Sequence, residues 1–320
     1  VITRTIAPSE SGKRLHRYLR TLMPNFPLGQ IYKMIDSGKV KVNGKRKKQN
    51  YELAAGDELT IFMDEDSFKQ TNGAEKKVKF AGVNTMIDIV YEDEELMVVN
   101  KPAGLLTHPD QTEQKNTLIT RVHAYLYKHN KLDSALFLPA TANRLDRNTS
   151  GLVLVGKTAG KLHELNQIIQ SRELEKYYIT VVEGTVTGSG TISGTLVRDT
   201  DKNKTLIGGT REAARPGAAL AGEKEAETRY RSLASGGGYS LVEVELISGR
   251  THQIRAHFKS IGHPLLGDIK YGGRRFEDVN YQLLHAWRIV LPDGTVFKAP
   301  LPPDFKRILK QTGIPLPDNG

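Results

Sequence analysis

Asn143-Arg144-Leu145-Asp146-Arg147-Asn148-Thr149-Ser150-Gly151 sets one carboxylate between two arginines and runs directly into the apolar strand Leu152-Val153-Leu154-Val155. Guanidiniums on either side of an acid can hold phosphates while the carboxylate reaches a base or sugar, which suits chemistry on a polyanionic substrate. Taken alone, the segment is equally an ordinary surface turn, so the chain around it has to decide.

Strand signals dominate from Asn84 onward. Ile87-Asp88-Ile89-Val90-Tyr91 and Leu96-Met97-Val98-Val99 flank the acidic turn Glu92 to Glu95 as a hairpin would, and the exit is Asn100-Lys101-Pro102-Ala103-Gly104. Leu162, Leu165, Ile168 and Ile169 recur at helical spacing. Strands are expected over Tyr177 to Val182 and Leu241 to Ile247. Ser248-Gly249-Arg250 then turns into a helix presenting Ile254, Phe258 and Ile261 on one face. Gly208 to Gly222 reads as a mobile surface loop and Gly236-Gly237-Gly238 as a hairpin turn. With no regular βαβ alternation and no repeat of 20 to 50 residues, the expected class is α+β with a mixed, largely antiparallel sheet.

The N-terminal part has a different character. Leu15, Leu19 and Leu22, then Ile31, Met34 and Ile35 before Gly38, predict two short amphipathic helices. Val40 and Val42 alternate with lysines up to the turn Asn43-Gly44, and Gly56-Asp57 precedes a strand around Leu59-Thr60-Ile61-Phe62. This is a small α/β module. Asp64 to Lys79 is polar and aperiodic and reads as a flexible linker. The expected domains are therefore 1–63, a linker at 64–82, and 83–320.

The chain has 320 residues, 38% hydrophobic, with a formal net charge of +10. Residues 1–63 hold twelve Lys/Arg against five Asp/Glu, a net +7 that leaves only +3 for the remainder. Such a basic surface points to a polyanionic partner. Its candidate RNA contacts are Arg14, Arg17, Arg20, Lys33, Lys39, Lys41, Lys45, Arg46, Lys47 and Lys48. The absence of cysteine excludes disulfides, thiolate nucleophiles and cysteine-ligated metals. No apolar run approaches the ~18 to 20 residues of a membrane span, and no signal sequence is recognisable, so a cytoplasmic location without membrane contact is expected. Gly188-Ser189-Gly190 lacks the spacing of either the dinucleotide or the P-loop fingerprint, so no nucleotide cofactor is expected. His252 and His257 lie five apart rather than four, which argues against a zinc helix and a metal site.

Residues 11 to 63 resemble the S-four-like RNA-binding module, through Arg14-Leu15, Ile31, Gly38-Lys39-Val40-Lys41-Val42-Asn43-Gly44 and Gly56-Asp57. Residues 85 to 310 resemble the RluA-type family of pseudouridine synthases, which isomerise uridine in ribosomal and transfer RNA. The matching motifs are Asn100-Lys101-Pro102-Ala103-Gly104, Arg144-Leu145-Asp146 with Thr149-Ser150-Gly151, Lys176 and Tyr178 with Gly184, and Arg250 to His257. They continue through Gly262-His263-Pro264-Leu265, Gly267-Asp268, Tyr271-Gly272 and Leu284-His285-Ala286. One departure stands out: many relatives carry histidine where this chain has Asn143.

The resemblance implies a cofactor-free isomerase, a monomer, acting on large-subunit ribosomal RNA. Asp146 corresponds to the essential carboxylate and Arg255 to its ion-pair partner. Attack on the sugar, attack on the uracil ring and removal of a sugar proton all stay open to Asp146, and each requires its ionised form. Tyr178 corresponds to the tyrosine that stacks on the target base, with removal of the carbon-5 proton as a second role open to it. Arg144 corresponds to the arginine that fills the place vacated by a flipped uridine. Ile254 is either an apolar wall of the pocket or a plain core residue. Arg147, Lys101, Arg250 and His252 are further candidates for RNA contact.

Overall fold

The computed structural model describes residues 1–71, 82–132, 136–210, 213 and 220–316. They divide into two units. One comprises Val1–Val99, His108–Arg144 and Val153–Gln167, the other Asn100–Thr107, Leu145–Leu152 and Ile168–Gly320.

The first unit opens with β1 (Ile2–Thr5), α1 (Leu15–Leu22), α2 (Leu28–Asp36), β2 (Val40–Val42) and β3 (Glu58–Ile61). The apolar stripes of both helices behave as their spacing predicts: Leu15, Leu19, Leu22, Ile31, Met34 and Ile35 are buried with Tyr18, Val40, Val42, Leu59 and Ile61 in one core. β3 lies between β1 and β2, antiparallel to each. β1 had no expectation, because the four residues Ile2-Thr3-Arg4-Thr5 carry almost no periodic signal. Asn43 and Gly44 both have positive φ, 51° and 71°, as a type I′ hairpin turn requires. The Asn43 side chain donates to Asp57 Oδ1 (2.7 Å) and accepts the Glu58 N–H (2.8 Å), which links the two turns of the module.

The segment read as a linker begins instead with a helix, α3 (Glu65–Thr71). Asp64 caps it by accepting the Ser67 N–H at 2.8 Å, and Phe68 is buried in the core of the N-terminal module. One apolar residue in seven gives no period, so the helix was invisible in the sequence. Asn72-Gly73 and the stretch up to residue 81 lie outside the described residues.

Next come β4 (Asp88–Glu92), β5 (Leu96–Lys101), α4 (Leu118–Lys128), β6 (Ala140–Thr141), β7 (Ser150–Gly156) and α5 (Ala159–Ser171), of which residues 100–101, 150–152 and 168–171 belong to the second unit. β4 and β5 are neighbours, the expected hairpin. Asp93 Oδ1 accepts the N–H groups of Glu95 and Leu96 and so closes its turn. Every residue of β7 is buried, as its unbroken apolar run implies for a strand covered on both faces.

The second unit holds β8 (Glu175–Glu183), β9 (Ser189–Asp199), β10 (Lys204–Ile207), β11 (Leu220–Gly236), β12 (Tyr239–Leu246), α6 (Gln253–Ser260), β13 (Leu284–Val290), β14 (Val296–Lys298) and α7 (Pro303–Thr312). Its strands run in the order β10-β9-β11-β12-β8-β13, each antiparallel to its neighbour, while Ser150 and Gly151 pair with β13 in parallel. The result is the mixed, largely antiparallel α+β architecture expected. Ile179, Val181, Leu241, Leu266, Phe305, Ile308 and Leu309 form a core cluster around β8, β12 and α7.

Two local expectations change. Leu220, Ala221 and Gly222, read as the end of a loop, belong to β11, and 211–212 and 214–219 lie outside the described residues. Ile261, read as part of the apolar face with Ile254 and Phe258, is 38% exposed because α6 stops at Ser260. Among the described residues no helix is long and apolar enough to cross a membrane.

Candidate active site

The Asp146 turn belongs to the second unit and is held from several sides within it. Thr107 Oγ1 donates to the Leu145 carbonyl (2.9 Å) and accepts the Leu145 N–H (3.2 Å), and the Thr149 N–H donates to the Asp146 carbonyl (3.1 Å). Gln282 donates to Thr149 Oγ1, and Ser150 Oγ bonds His285 Nδ1 at 2.8 Å. Gly151 then passes against β13 at φ +112°, where a Cβ would collide with the Ala286 carbonyl. Only glycine fits this entry into β7. The Asp146 backbone is thus fixed while its side chain stays 26% exposed.

Lys101, read as an RNA contact, has another place. It is fully buried, and its ammonium donates to three carbonyls, those of Pro102 (2.9 Å), Leu105 (2.7 Å) and Arg147 (2.9 Å). With three donors committed to backbone oxygens it ties the 100–107 loop to the Asp146 turn and does not reach solvent. Burial pushes its pKa down to about 7, against an upward pull from Asp146.

Arg255 reaches the carboxylate from α6, whose start is pinned by Gln253. That side chain accepts from Ser248 Oγ and the Arg250 N–H, and donates to the Glu227 carbonyl and Thr228 Oγ1. Arg255 Nη1 lies 3.5 Å from Asp146 Oδ2, the pairing the sequence pointed to. Its tighter partner is Asp268, which receives a fork from Nε and Nη2 at 2.7 Å each. The guanidinium also sits 4.7 Å over the Tyr271 ring. Burial opposes the Arg255 charge, but the Asp268 hydrogen bonds and the charges of Asp268 and Asp146 outweigh it and raise its pKa.

His252 is nearer to the acid than an RNA-contact reading suggested. It caps α6 in the left-handed region, φ 54°, with Nε2 3.5 Å from Asp146 Oδ2 and Nδ1 3.0 Å from the Tyr271 hydroxyl. Burial, only partly countered by Asp146, lowers its pKa to about 4. Tyr178 stands on β8 between Val244 of β12 and Ala286 of β13. It is 8% exposed, and burial together with the Asp146 charge drives its phenol well above the ordinary tyrosine range.

Of the other candidates, Ile254 is buried, Arg250 is half-buried with Nε 3.5 Å from the Glu225 carbonyl, and Arg144 and Arg147 are exposed. Asn143, at the departure from the pattern, accepts the Leu154 N–H at 2.8 Å and so serves the turn itself. Of the N-terminal cations, Lys41 and Lys47 are half-buried over Phe62 and Tyr51, and Arg14, Arg17, Arg20, Lys33, Lys39, Lys45, Arg46 and Lys48 are exposed. Asp268 and Tyr271 carried a usable signal, the motifs Gly267-Asp268 and Tyr271-Gly272. Their role stayed hidden because it depends on which side chain they meet.

Residues 95–260 match the sequence model of the RNA pseudouridylate synthase family, and residues 13–59 match that of the S4 domain. The chain belongs to the RNA pseudouridylate synthase family. As a member of it, the protein is an RNA uridine isomerase that carries an S4 RNA-binding domain. It is 31% identical over 314 residues to an RNA pseudouridine synthase of Bacillus subtilis, covering 96% of both chains. It is 32% identical over 273 residues to ribosomal large subunit pseudouridine synthase D of Yersinia pestis, covering 85% of this chain and 77% of that one. The fold is shared with human RNA pseudouridylate synthase domain containing 4, with a TM-score of 0.59 and 21% identity over 72% of this chain and 94% of that one.

This synthase also contains imidazoles that burial keeps uncharged. His257 and His285 are both fully buried, and each pKa is lowered to about 4 mainly by that burial. The unfolded chain, with histidine near pKa ~6.5, takes up protons in this range that the folded chain refuses. Stability is therefore fully present above pH 6.5 and falls as the pH drops toward 4. Urea midpoints should decline between pH 6.5 and 5, above the range where most carboxylates titrate, and His257→Asn should flatten that slope; an unchanging wild-type midpoint would contradict it.

Proposed function

We propose that the protein converts specific uridines to pseudouridine in large-subunit ribosomal RNA, with Asp146 as the essential carboxylate and the target base flipped out of its stack. The observation that carries this reading is a partly exposed acid on an otherwise fixed turn, faced by Arg255 and His252 at 3.5 Å and electrostatically coupled to Tyr178. The reaction breaks the bond from nitrogen 1 to the sugar, forms one from carbon 5, moves a proton off carbon 5 and leaves one on nitrogen 1. Nothing is oxidised, so the residues of the site suffice.

Arg255 orients Asp146. Tyr178 stacks on the uracil; its raised pKa favours the neutral phenol, which suits stacking better than proton removal in the resting site. Arg144 fills the space of the flipped base, at a site where unstacking costs a few kcal/mol. Arg147, Arg250 and His252 contact the substrate strand, and Ile254 backs the pocket. Residues 1–63, with α3 packed into their core, add affinity through their exposed cations, and 83–320 catalyse. The relatives named for the large ribosomal subunit favour that RNA and a cytoplasmic setting.

Mapping pseudouridines in total RNA from cells with and without the gene tests the reading. Loss should fall on large-subunit RNA and be restored by the wild-type gene; an unchanged map would reject it. In the same cells, a variant with Lys45, Arg46, Lys47 and Lys48 replaced by alanine should restore modification only weakly. In vitro it should bind with a shallower salt dependence, because fewer phosphate counterions are released.

A further inference from the structure

Outside the residues matched by the family motifs, a second group of charges gathers near Tyr271, whose hydroxyl reaches Asp146 through His252. Arg198 is the penultimate residue of β9, before Asp199, Lys204 begins β10, and Lys270 lies two residues after Asp268. Asn203, between the two strands, gathers them: its carbonyl accepts from Lys270 Nζ at 2.7 Å and its side-chain oxygen from Arg198 Nη2. Lys204 Nζ stands 5.1 Å from the centre of the Tyr271 ring. That same ring lies under the Arg255 guanidinium, and its hydroxyl meets His252, which meets Asp146.

Arg198 and Lys270 have no carboxylate partner among the described residues, and Arg198 Nη1 is buried with no hydrogen-bond partner at all. The cations oppose one another: Lys270 is lowered by burial and then by Arg255 and Arg198, an effect that the charges of Asp146 and Asp268 offset only in part. A protein surface normally relieves such a cluster with an acid, as this one does at Arg229 and Arg231, each paired with a glutamate. Leaving Arg198 Nη1 without an acceptor and Lys270 without an ion pair near a reactive carboxylate is unfavourable in the free protein and favourable when an anion arrives. Within a nucleotide, the phosphate and the glycosidic carbon are separated by little more than the sugar, so a strand whose target sugar sits at Asp146 brings a phosphodiester to this cluster.

We propose that Arg198 and Lys270, with Lys204 beside them, form a phosphate-binding site for the RNA backbone next to the target nucleotide. Lys270 neutralises one phosphodiester and the Arg198 guanidinium, held by Asn203, adds its charge, which fixes the register of the strand over Asp146. This rests on the reading of Asp146 as the reacting group.

The test uses the full-length protein with an unmodified large-subunit RNA transcript, measuring binding from low to high salt and pseudouridine formation on the same RNA. Arg198→Gln/Lys270→Gln should weaken binding tenfold or more, lower the salt slope by about 0.7 to 1.4, and reduce kcat/KM, with an unchanged thermal midpoint. Arg198→Lys should retain the slope while losing affinity, since it keeps the charge and loses the planar guanidinium that Asn203 orients. Arg229→Gln/Arg231→Gln, which removes paired charges on the same unit, should bind with the wild-type slope. Wild-type affinity and slope in Arg198→Gln/Lys270→Gln would overturn the site. If the wild-type protein formed no pseudouridine, the reading of Asp146 would fail instead, and the slopes would still decide whether the cluster binds phosphate.

Discussion

Asp146→Asn should reduce the rate of pseudouridine formation at least about 10³-fold, the scale on which essential acid, base or nucleophilic groups act, with RNA binding within a few-fold of wild type. Asparagine is nearly isosteric, and the bonds that hold this turn come from backbone atoms, Thr107, Lys101 and Gln282, none of which involves the Asp146 side chain. The fold should therefore survive. What disappears is the charge, and sugar attack, ring attack and sugar-proton removal all need it. The amide keeps one oxygen that can accept from Arg255, but the charge–charge part of that pairing is gone. Single-turnover assays on unmodified transcript, with binding measured in parallel, give the answer. Substantial turnover in Asp146→Asn would remove Asp146 as the essential group, and loss of binding would show that the carboxylate instead organises the surface.

The second large effect is expected at Asp268, a residue whose part is to hold Arg255. Both are buried, with side chains 1% and 8% exposed, and two 2.7 Å bonds join them. Asp268→Ala strands a buried guanidinium and should cost about 3–5 kcal/mol of stability, the usual price of breaking a buried pair from one side. Asp268→Asn and Arg255→Lys are milder and more telling. Each keeps some hydrogen bonding but lets the end of the side chain move relative to Asp146, and misplacement by an ångström is worth about 10²-fold in rate. Both should lose kcat with little change in KM, as positioning residues do. Wild-type kcat in a folded Asp268→Asn protein would show that Arg255 needs no second partner.

Much of the molecule was legible from residue order. The stripes of α1 and α2, the turn at Asn43-Gly44, the β4–β5 hairpin and the strands β7, β8 and β12 each carry their own period or turn chemistry. The motifs around Asp146, Tyr178 and Arg255 likewise pointed to the family. Segments without internal period were not legible: β1 is too short, α3 has the single apolar anchor Phe68, and β9 to β11 are polar strands whose register comes from their neighbours.

The roles of individual charges depended on the tertiary structure. Lys101 and Arg147 look alike in sequence as cations near the acid, yet one is buried beneath three carbonyls and the other is exposed. Arg255 pairs with Asp146 as the motif implies, but its firm partner is Asp268, thirteen residues along the chain and opposite it only after Gly267 turns at φ +76°. By itself the sequence determined which residue types this protein owns and which family's order they follow. The tertiary structure decided which charge faces solvent, which faces another charge and which faces a carbonyl, because burial and partner geometry exist only once distant segments are packed together.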